Sequence, residues 1–360
     1  MKVKRMKVAV GMSGGVDSST AVALLQENGH EVIGVTIVTH EGGLAETAAL
    51  EAAEQLRIPL HVLDFRTVFK QEVIDSFAES YYRGETPNPC VLCNRKIKFG
   101  ELLKQSRGLG ADYLATGHYV RKMVDETSGR WLIQTGLDAK KDQSYVLYSL
   151  SQEQIAHALF PLGDYTKEQV RDLARNRKLT AADSSESQEI CFIPDDNYAE
   201  YIRAAMGKDS EPGDFTDFSG RIIGRHRGLI HYTVGQRKGL GVTFGKPMFV
   251  ASIDPVGNRV ILGEGNDLYT DILWATGLNW IALERLSGPL KVQAKIRYKA
   301  NPAAAVLYPE NNLVRVQFET PQRAVTPGQS VVFYDGPTVL GGGVIVSDKC
   351  GIRQDLLKAE

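Results

Sequence analysis

The sequence lacks several features that mark common classes of protein. Its 360 residues contain only 4 cysteines, which argues against a disulfide framework and for a metal or redox role. No apolar run approaches the roughly 18 residues that a membrane-spanning helix needs. The basic first residues are not followed by the apolar core of a signal peptide. We therefore expect a globular protein of the cytoplasm, with no membrane partner.

A strong net charge is also absent. The formal net charge is −1, so the composition as a whole does not indicate nucleic acid as a partner. Three segments are nevertheless locally basic, namely residues 221–227, 236–238 and 291–299. A local cluster of this kind is more often a solvated face than a binding surface, and both interpretations stay open at this point.

The first half of the chain alternates between two patterns. Strand-like apolar runs cover residues 7–10, 31–38, 60–63 and 113–116. Helical patterns lie between them and before the last run, at residues 21–27, 45–56, 68–82 and 97–106. This alternation predicts an α/β fold in which helices cover both faces of a parallel sheet. Ligands bind at the carboxyl ends of such strands, where residues 11–18 and 116–118 fall.

The second half of the chain changes character. Capping boxes that begin at Ser151 and Thr166 predict two more helices, which complete the first domain. After Tyr201, glycine, proline and aspartate become dense and predict a small turn-rich domain. Short alternating β runs then predict a C-terminal antiparallel β-barrel. These runs cover residues 292–296, 304–307, 314–318, 331–334 and 339–346. We place the domains at residues 1–195, 196–270 and 271–360.

Residues 11–18 read Gly-Met-Ser-Gly-Gly-Val-Asp-Ser and join the first predicted strand to a helix. Backbone N–H groups and a helix N-terminus at such a turn form an anion site, which the adjacent glycines let a phosphate approach closely. We expect Asp17 or Ser18 to cap the helix, and Asp17 to supply a carboxylate for Mg²⁺. The loop lacks the lysine of the P-loop motif. Its SGGVDS core instead resembles the pyrophosphate loop of ATP pyrophosphatases, which adenylate a substrate oxygen and release pyrophosphate.

Two cysteines three residues apart, Cys90 and Cys93, follow a proline-rich turn. The prolines are expected to exclude helix before Cys90, and Asn94 to cap the helix predicted next. A nearby helix N-terminus, together with Lys96 and Lys98, should then lower the pKa of Cys93 below about 8.5. Cys191 lies about a hundred residues further on. The isolated Cys350 is interpreted as a bystander.

The Cys-x-x-Cys pair has other interpretations. A structural zinc site would have to recruit Cys191 and a histidine, because the usual second pair is absent. A thioredoxin-like redox pair fits poorly, since proline precedes the motif where thioredoxins have an aromatic residue and glycine.

Taken together, the motifs resemble one family over residues 7–346. In chain order they are GMSGGVDSS, TPNPCVLCNRKIKF, ATGHY, KDQSYVLY, ICFIPD, TVGQRKGLG and TPGQSVVFY. They are similar to the motifs of the tRNA-specific 2-thiouridylases, which thiolate C2 of the wobble uridine, U34. The resemblance implies an ATP-pyrophosphatase domain related to the adenine nucleotide α-hydrolases, a small linker domain and a tRNA-binding β-barrel. It also implies a chemistry in which ATP adenylates O2 of the uridine and a cysteine persulfide supplies sulfur.

The resemblance further implies a role for individual residues. Cys93 matches the family's nucleophile and Cys191 the cysteine that carries the persulfide, while Cys90 stands where many relatives have an acid/base aspartate. ATP would bind to Gly11, Met12, Ser13, Gly14, Gly15, Val16, Asp17, Ser18, Ile37 and Gly117. The target base and the tRNA would contact Asn88, Pro89, Cys90, His118, Lys141, Asp142, Gln143, Arg297, Tyr298 and Gln329.

The implied cofactors and partners are ATP, Mg²⁺, tRNA and a persulfide donor, either a cysteine desulfurase or a relay protein. Three alternatives stay open at this stage. Cys90, Cys93 and Cys191 have the ligand chemistry for three irons of a [4Fe–4S] cluster, whose fourth iron would carry the sulfur. The second alternative is an ATP pyrophosphatase of the GMP-synthetase or argininosuccinate-synthetase kind. The third is a cluster-bearing RNA-binding ATPase.

Overall fold

In the computed structural model, residues 5–40, 44–183, 190–193 and 197–347 are described. By its internal contacts the chain divides into two units. The first consists of Met1–Val73, Cys90–Phe192 and Pro337–Leu340, and the second of Ile74–Pro89, Ile193–Gly336 and Gly341–Glu360. Cys350 lies outside the described residues, so its interpretation as a bystander stays a prediction.

A parallel sheet forms the centre of the first unit, with the strand order β3-β2-β1-β4-β7. Val8, Ala9 and Val10 on the central strand have no exposed surface, which explains why that run is continuously apolar. The strands of this unit are β1 (Lys7–Gly11), β2 (Glu31–Val38), β3 (Leu60–Asp64), β4 (Tyr113–Ala115), β5 (Val120–Val124), β6 (Trp131–Thr135) and β7 (Ala158–Leu159). The antiparallel β5–β6 hairpin is not part of the sheet and has no counterpart among the predicted strands.

Helices follow the sheet strands as the alternating pattern predicts. In chain order the α-helices are α1 (Val16–Glu27), α2 (Leu44–Leu56), α3 (Arg66–Phe69), α4 (Ser76–Tyr82), α5 (Pro89–Leu92), α6 (Leu103–Gly108), α7 (Gln152–Ala156), α8 (Lys167–Asn176) and α9 (Tyr198–Met206). The π-helical segment Lys70–Asp75 joins α3 to α4, and Cys93–Leu102 joins α5 to α6. Apolar residues of α1, α2 and α8, among them Val22, Ala53 and Val170, pack into one core cluster against β1.

The structure corrects three predictions about helix starts. α5 begins at Pro89, because a proline in the first helical position loses no intrahelical hydrogen bond, so Cys90 lies inside a helix. Asn94 is not a cap: it is buried in the π-helix, and its Nδ2 donates to the Val146 carbonyl at 3.3 Å. The N-cap of α1 is Gly15, without a side-chain bond, so neither Asp17 nor Ser18 caps that helix.

Other local predictions are confirmed. Ser151 and Thr166 each form the reciprocal bonds of a capping box with the glutamine three residues on. The 31–38 run matches β2 at both ends. Among the described residues, no helix is long and apolar enough to cross a membrane.

The second unit contains two β structures. A mixed sheet has the strand order β10-β11-β8-β9 and surrounds a core centred on Phe215. Strands β12, β15, β14, β13, β16 and β17 then pair in that order, and β12 also pairs with β17, which closes a barrel. These strands are β8 (Gly213–Thr216), β9 (Ile222–His226), β10 (Phe249–Asp254), β11 (Arg259–Gly263), β12 (Tyr269–Trp280), β13 (Leu290–Lys295), β14 (Ala303–Glu310), β15 (Leu313–Arg323), β16 (Ser330–Asp335) and β17 (Thr338–Val346). The part of β17 from Gly341 onward belongs to this unit.

The barrel confirms the prediction for the C-terminal part of the chain. The central part is more ordered than its composition suggested, since β8 to β11 form a sheet in a segment that was expected to consist mainly of turns.

Candidate active site

The loop between β1 and α1 lies at the carboxyl edge of the parallel sheet. Gly14 adopts a φ of +76°, and a Cβ there would collide with Ala48, so only glycine suits this position. The Met12 N–H donates to the Val35 carbonyl at 2.8 Å, which ties the loop to β2. Because α1 starts without a side-chain cap, its first N–H groups are left for an anion.

Serine hydroxyls organise the inside of this loop. Ser18 Oγ donates to the Gly15 carbonyl at 3.1 Å, and Ser19 Oγ donates to the same carbonyl at 3.0 Å. Ser13 Oγ accepts from the Gly15 N–H at 3.4 Å. These bonds fix the backbone of the loop, and a fixed run of backbone N–H groups is what an anion-binding nest requires.

Gly117 brings a second loop, the one after β4, against the start of α1. A Cβ at Gly117 would lie 2.8 Å from Asp17 Cβ and 3.2 Å from the Ser18 nitrogen. Glycine is therefore needed for the close approach of the two loops. Ile37 lies near the end of the adjacent strand β2. The residues predicted to hold ATP thus come together at one edge of the sheet.

Asp17 makes the strongest polar contacts of this edge. Its Oδ1 accepts a hydrogen bond from the Tyr119 hydroxyl at 2.7 Å, and Lys167 Nζ lies 2.8 Å from both carboxylate oxygens. The Lys167 side chain is only 10% exposed, and its Nζ also lies 5.8 Å from the centre of the Tyr119 ring. Neither partner of Asp17 was singled out from the sequence. The sequence offered two signals for these partners. Tyr119 is the last residue of the ATGHY motif, and Lys167 directly follows the helix cap Thr166.

The three described thiols lie close enough to influence one another's ionisation. Burial raises the pKa of Cys93 to about 11, against an opposing effect of the Lys98 ammonium. Partial desolvation by the surrounding protein also raises the pKa of Cys90 and of Cys191, although both keep exposed surface, and Lys98 again opposes this effect. The predicted lowering of the Cys93 pKa is therefore wrong for this state, because desolvation outweighs the positive charge.

Cys191 owes its position to its neighbour Phe192. The Phe192 ring packs edge-on against Phe69 of α3, with ring centres 5.6 Å apart. Cys191 itself is exposed, as is Cys90, whereas Cys93 is half-buried. The Cys191 thiol is therefore accessible from solvent.

His118 is a buried neutral imidazole. Its Nδ1 lies 2.7 Å from Thr116 Oγ1, and its ring packs near Phe99 and Phe160. Burial, followed by the Lys98 charge, holds the His118 pKa well below its usual range. The other ring nitrogen can form one hydrogen bond with a ligand, but the imidazole carries no positive charge near neutral pH.

Metal binding can be tested on the side chains present. Among the described residues, no group of three His, Cys, Asp or Glu side chains is arranged to hold a metal ion. The cysteine set therefore does not fit a [4Fe–4S] cluster in this structure, and we derive no step from one. Mg²⁺ needs less, since one carboxylate and phosphate oxygens satisfy it, and the Asp17 carboxylate, 34% exposed, has the right chemistry.

The Lys141–Gln143 segment holds the end of the ATGHY motif. Gln143 Oε1 accepts from the Tyr119 N–H at 3.0 Å, and Asp142 accepts from the Gly136 and Ser144 N–H groups at 3.1 and 3.2 Å. Asp142 and Gln143 thus use these side-chain oxygens for hydrogen bonds within the protein. A contact of this segment with tRNA stays a prediction.

In the second unit, Gln329 lies against the segment that precedes the Cys motif. Its Nε2 donates to the Thr86 carbonyl at 2.8 Å, while the Thr86 N–H donates to the Pro327 carbonyl at 2.8 Å. Asn88 and Pro89 follow directly in the chain. The Gln329 amide is therefore used to shape the loop that was predicted to contact the target base.

The turn after β13 carries the remaining predicted RNA residues. Arg297 and Lys299 are exposed there, and Tyr298 is 37% exposed. Lys295 Nζ lies 5.6 Å from the centre of the Tyr298 ring. The turn presents cations and an aromatic face on the surface of this unit.

A parallel sheet with a glycine-rich anion loop after its central strand, and without a P-loop lysine, defines a nucleotide-binding domain of the ATP-pyrophosphatase type. The family called tRNA methyl transferase HUP domain matches residues 6–195. The tRNA methyl transferase PRC-barrel domain matches residues 200–264, and the aminomethyltransferase beta-barrel domain matches residues 270–345.

Full-length relatives narrow this class. The chain is 53% identical to the tRNA-specific 2-thiouridylase MnmA of Desulfitobacterium hafniense (strain Y51), over 96% of this chain and 99% of that one. It is 47% identical to the protein of the same name from Clostridioides difficile (strain 630), over 94% and 98%. A solved 4-thiouridine synthetase–RNA complex with bound ATP is 18% identical, with a TM-score of 0.35, over 52% of this chain and 45% of that one. The chain belongs to the tRNA-specific 2-thiouridylase family.

Proposed function

We propose that this protein thiolates C2 of the wobble uridine of tRNA in an ATP-dependent reaction. The observation that carries this proposal is the pairing, within one unit, of an anion-binding nucleotide loop with three interacting thiols. An ATP pyrophosphatase that transfers nitrogen has no need for such thiols. The full-length similarity to the 2-thiouridylases supports the same conclusion.

The β1–α1 loop has the task of holding the phosphates of ATP. The first N–H groups of α1, which no side chain caps, would donate hydrogen bonds to the pyrophosphate part, and Asp17 would hold Mg²⁺, which supplies charge neutralisation when bound. Uridine O2 attacks the α-phosphorus, so that pyrophosphate leaves and O2 becomes esterified to AMP. The neutral His118 is suited to a hydrogen bond with the activated base.

The thiols then exchange O2 for sulfur. A donor of the persulfide class first transfers one sulfur atom to Cys191, giving Cys191–S–SH. The terminal sulfur, after loss of its proton, attacks C2 and AMP departs with O2. Cys93 attacks Cys191 Sγ, so the Cys191 sulfur–sulfur bond breaks, thiouridine is released and a Cys93–Cys191 disulfide remains. A cellular thiol reductant must return both cysteines to thiols before the next turnover.

The C-terminal β-barrel of the second unit supports recognition of the tRNA. A wobble base lies in a single-stranded loop and can be turned out into a pocket. Arg297 and Lys299 would contact phosphates, and Tyr298 would offer a stacking face. We place the reaction in the cytoplasm, with a cysteine desulfurase or a relay protein as the donor.

One experiment tests the proposal. Purified protein is incubated with ATP, Mg²⁺, a persulfide donor, a reductant and unmodified tRNA, and the nucleosides are analysed by mass spectrometry. We expect 2-thiouridine at position 34, together with AMP and pyrophosphate in equal amounts. Release of ADP and phosphate would contradict the pyrophosphatase chemistry. Turnover of ATP without sulfur incorporation would favour an RNA-binding ATPase, and indifference to loss of Cys93 and Cys191 would favour a nitrogen-transferring enzyme.

A further inference from the structure

Lys98 occupies a special position among the cations near the thiols. The segment Cys93–Leu102 is a π-helix, in which hydrogen bonds join residues five positions apart. Lys98 is the residue five positions after Cys93, so it lies one helical turn beyond it on the same side. In an ordinary α-helix Ile97 would take that place, but Ile97 is fully buried in the core.

The two lysines of this helix have different surroundings. Lys96 forms an ion pair with Glu72, with Nζ and Oε2 3.4 Å apart. Lys98 is half-buried, and within the described part of the chain no carboxylate or hydrogen-bond acceptor pairs with it. No carboxylate of the described residues neutralises the Lys98 charge, so its field acts on the neighbouring groups.

The groups on which the Lys98 charge acts are three thiols and one imidazole. Its charge acts on Cys90, Cys93 and Cys191, and in each case it favours the thiolate. It also disfavours protonation of His118. Among the described residues, no carboxylate contributes to the pKa shift of any of the three thiols.

We propose that Lys98 stabilises the sulfur anions that form at Cys93 and Cys191 during sulfur transfer. The thiolate of Cys93 forms by loss of its proton to solvent, with no change of oxidation state. The same charge would stabilise the anion on the terminal sulfur of a Cys191 persulfide, and this second statement rests on the proposed function. Burial keeps the thiols protonated in the resting enzyme, and Lys98 offsets part of that penalty when a sulfur must ionise.

The test measures thiol ionisation without ATP or tRNA, so its outcome is independent of the activity. Alkylation of Cys93 and Cys191 by iodoacetamide is followed by mass spectrometry between pH 7 and pH 11. In Lys98→Gln both rates should fall about tenfold at a given pH, because one unit of pKa changes the thiolate fraction tenfold. Lys98→Arg should retain the wild-type profile. Lys96→Gln, on the same helix, is the matched control and should not change it.

A second measurement uses the unaltered protein and does not depend on the folding of a variant. The anionic reagent iodoacetate is compared with neutral iodoacetamide at each cysteine. Beside Lys98 the ratio of the two rates should exceed that of free cysteine, and it should fall as ionic strength rises. A wild-type ratio equal to that of free cysteine, or an unshifted profile in folded Lys98→Gln, would overturn the proposal.

Discussion

Lys167 Nζ lies 2.8 Å from both carboxylate oxygens of Asp17, although 150 residues separate them in the chain. The pair connects the first turn of α1 with the first residue of α8, two helix N-termini that both carry partial positive charge. The Asp17 carboxylate offsets this charge. We expect Lys167 to take up part of the charge of bound phosphates and Asp17 to hold Mg²⁺.

We predict that Lys167→Met and Asp17→Asn each slow ATP–pyrophosphate exchange by about 10²–10³-fold, the usual cost of removing one preorganised charge in a site. The double variant should lose less than the sum of the single losses, since neither charge is then left unpaired. Arg175→Met, on the exposed side of α8, is the control and should keep wild-type exchange. Additive losses would mean that the two residues act separately.

A methyl group added at Gly117 should disturb the nucleotide site and leave the rest of the fold intact. In Gly117→Ala the new Cβ would lie 2.8 Å from Asp17 Cβ, so the start of α1 must shift. We expect weaker ATP binding in calorimetry, by at least about tenfold, because the loop amides lose alignment.

Gly108→Ala is the matched control, because no atom lies within 4 Å of a Cβ built there. Gly108 ends α6, where alanine gains up to about 1 kcal/mol in helix propensity. The melting temperature of the Gly108→Ala variant should stay the same or rise, and its affinity for ATP should not change. An equal loss of affinity in both variants would argue against a local effect at Gly117.

Sequence patterns predicted those parts of the protein whose causes are local. The run 31–38 is apolar, rich in β-branched residues and bounded by polar residues, so its strand is recognisable from the chain alone. The glycine-rich loop is also local, because its anion site consists of consecutive backbone groups. Both capping boxes join residues only three positions apart.

The missed features depend on contacts between distant segments. Nothing near Lys167 in sequence indicates that Asp17 is its partner, and the burial that raises the Cys93 pKa comes from the surrounding fold. Pro89 misled because proline breaks a helix from within but starts one readily. The strand β8 was missed since its neighbours are rich in glycine and aspartate, and tertiary packing around Phe215 overrides that composition.

Gln329 should act through the loop that it holds. In Gln329→Ala the Thr86 carbonyl loses its side-chain donor. We expect this loss to cost about 1 kcal/mol of stability and to leave the backbone between Thr86 and Asn88 less ordered. The kcat for uridine thiolation should fall while ATP–pyrophosphate exchange is retained. Gln322→Ala removes a similar bond to the Thr320 carbonyl on β15 and should change neither rate. A fall in tRNA affinity with unchanged kcat would instead assign Gln329 to direct RNA binding.

The turn after β13 should bind phosphates of the tRNA. We predict that Arg297→Ala with Lys299→Ala weakens tRNA binding and lowers the slope of log K against log salt by about 1.5, because each phosphate that a side chain neutralises adds about 0.7–0.9 to that slope. ATP affinity should not change. Lys246→Ala removes an exposed lysine that is paired with Glu264, and it should leave the slope intact. If the double variant keeps the wild-type slope, the basic turn is a solvated face.

Cys90 tests whether sulfur transfer needs only the Cys93–Cys191 pair, as expected because the described cysteines do not fit a [4Fe–4S] cluster. With the Cys93–Cys191 pair, Cys93→Ser and Cys191→Ser should abolish thiolation and spare adenylation, since neither thiol belongs to the ATP loop. Cys90→Ala should then retain activity, with a loss of at most about 10²–10⁴-fold if the thiol assists a proton transfer. Its raised pKa keeps it protonated near neutral pH, as a proton donor must be. A cluster mechanism requires all three thiols, so Cys90→Ala would lose both turnover and the brown colour of protein prepared without oxygen. Iron-free enzyme that thiolates tRNA from a persulfide donor would exclude the cluster.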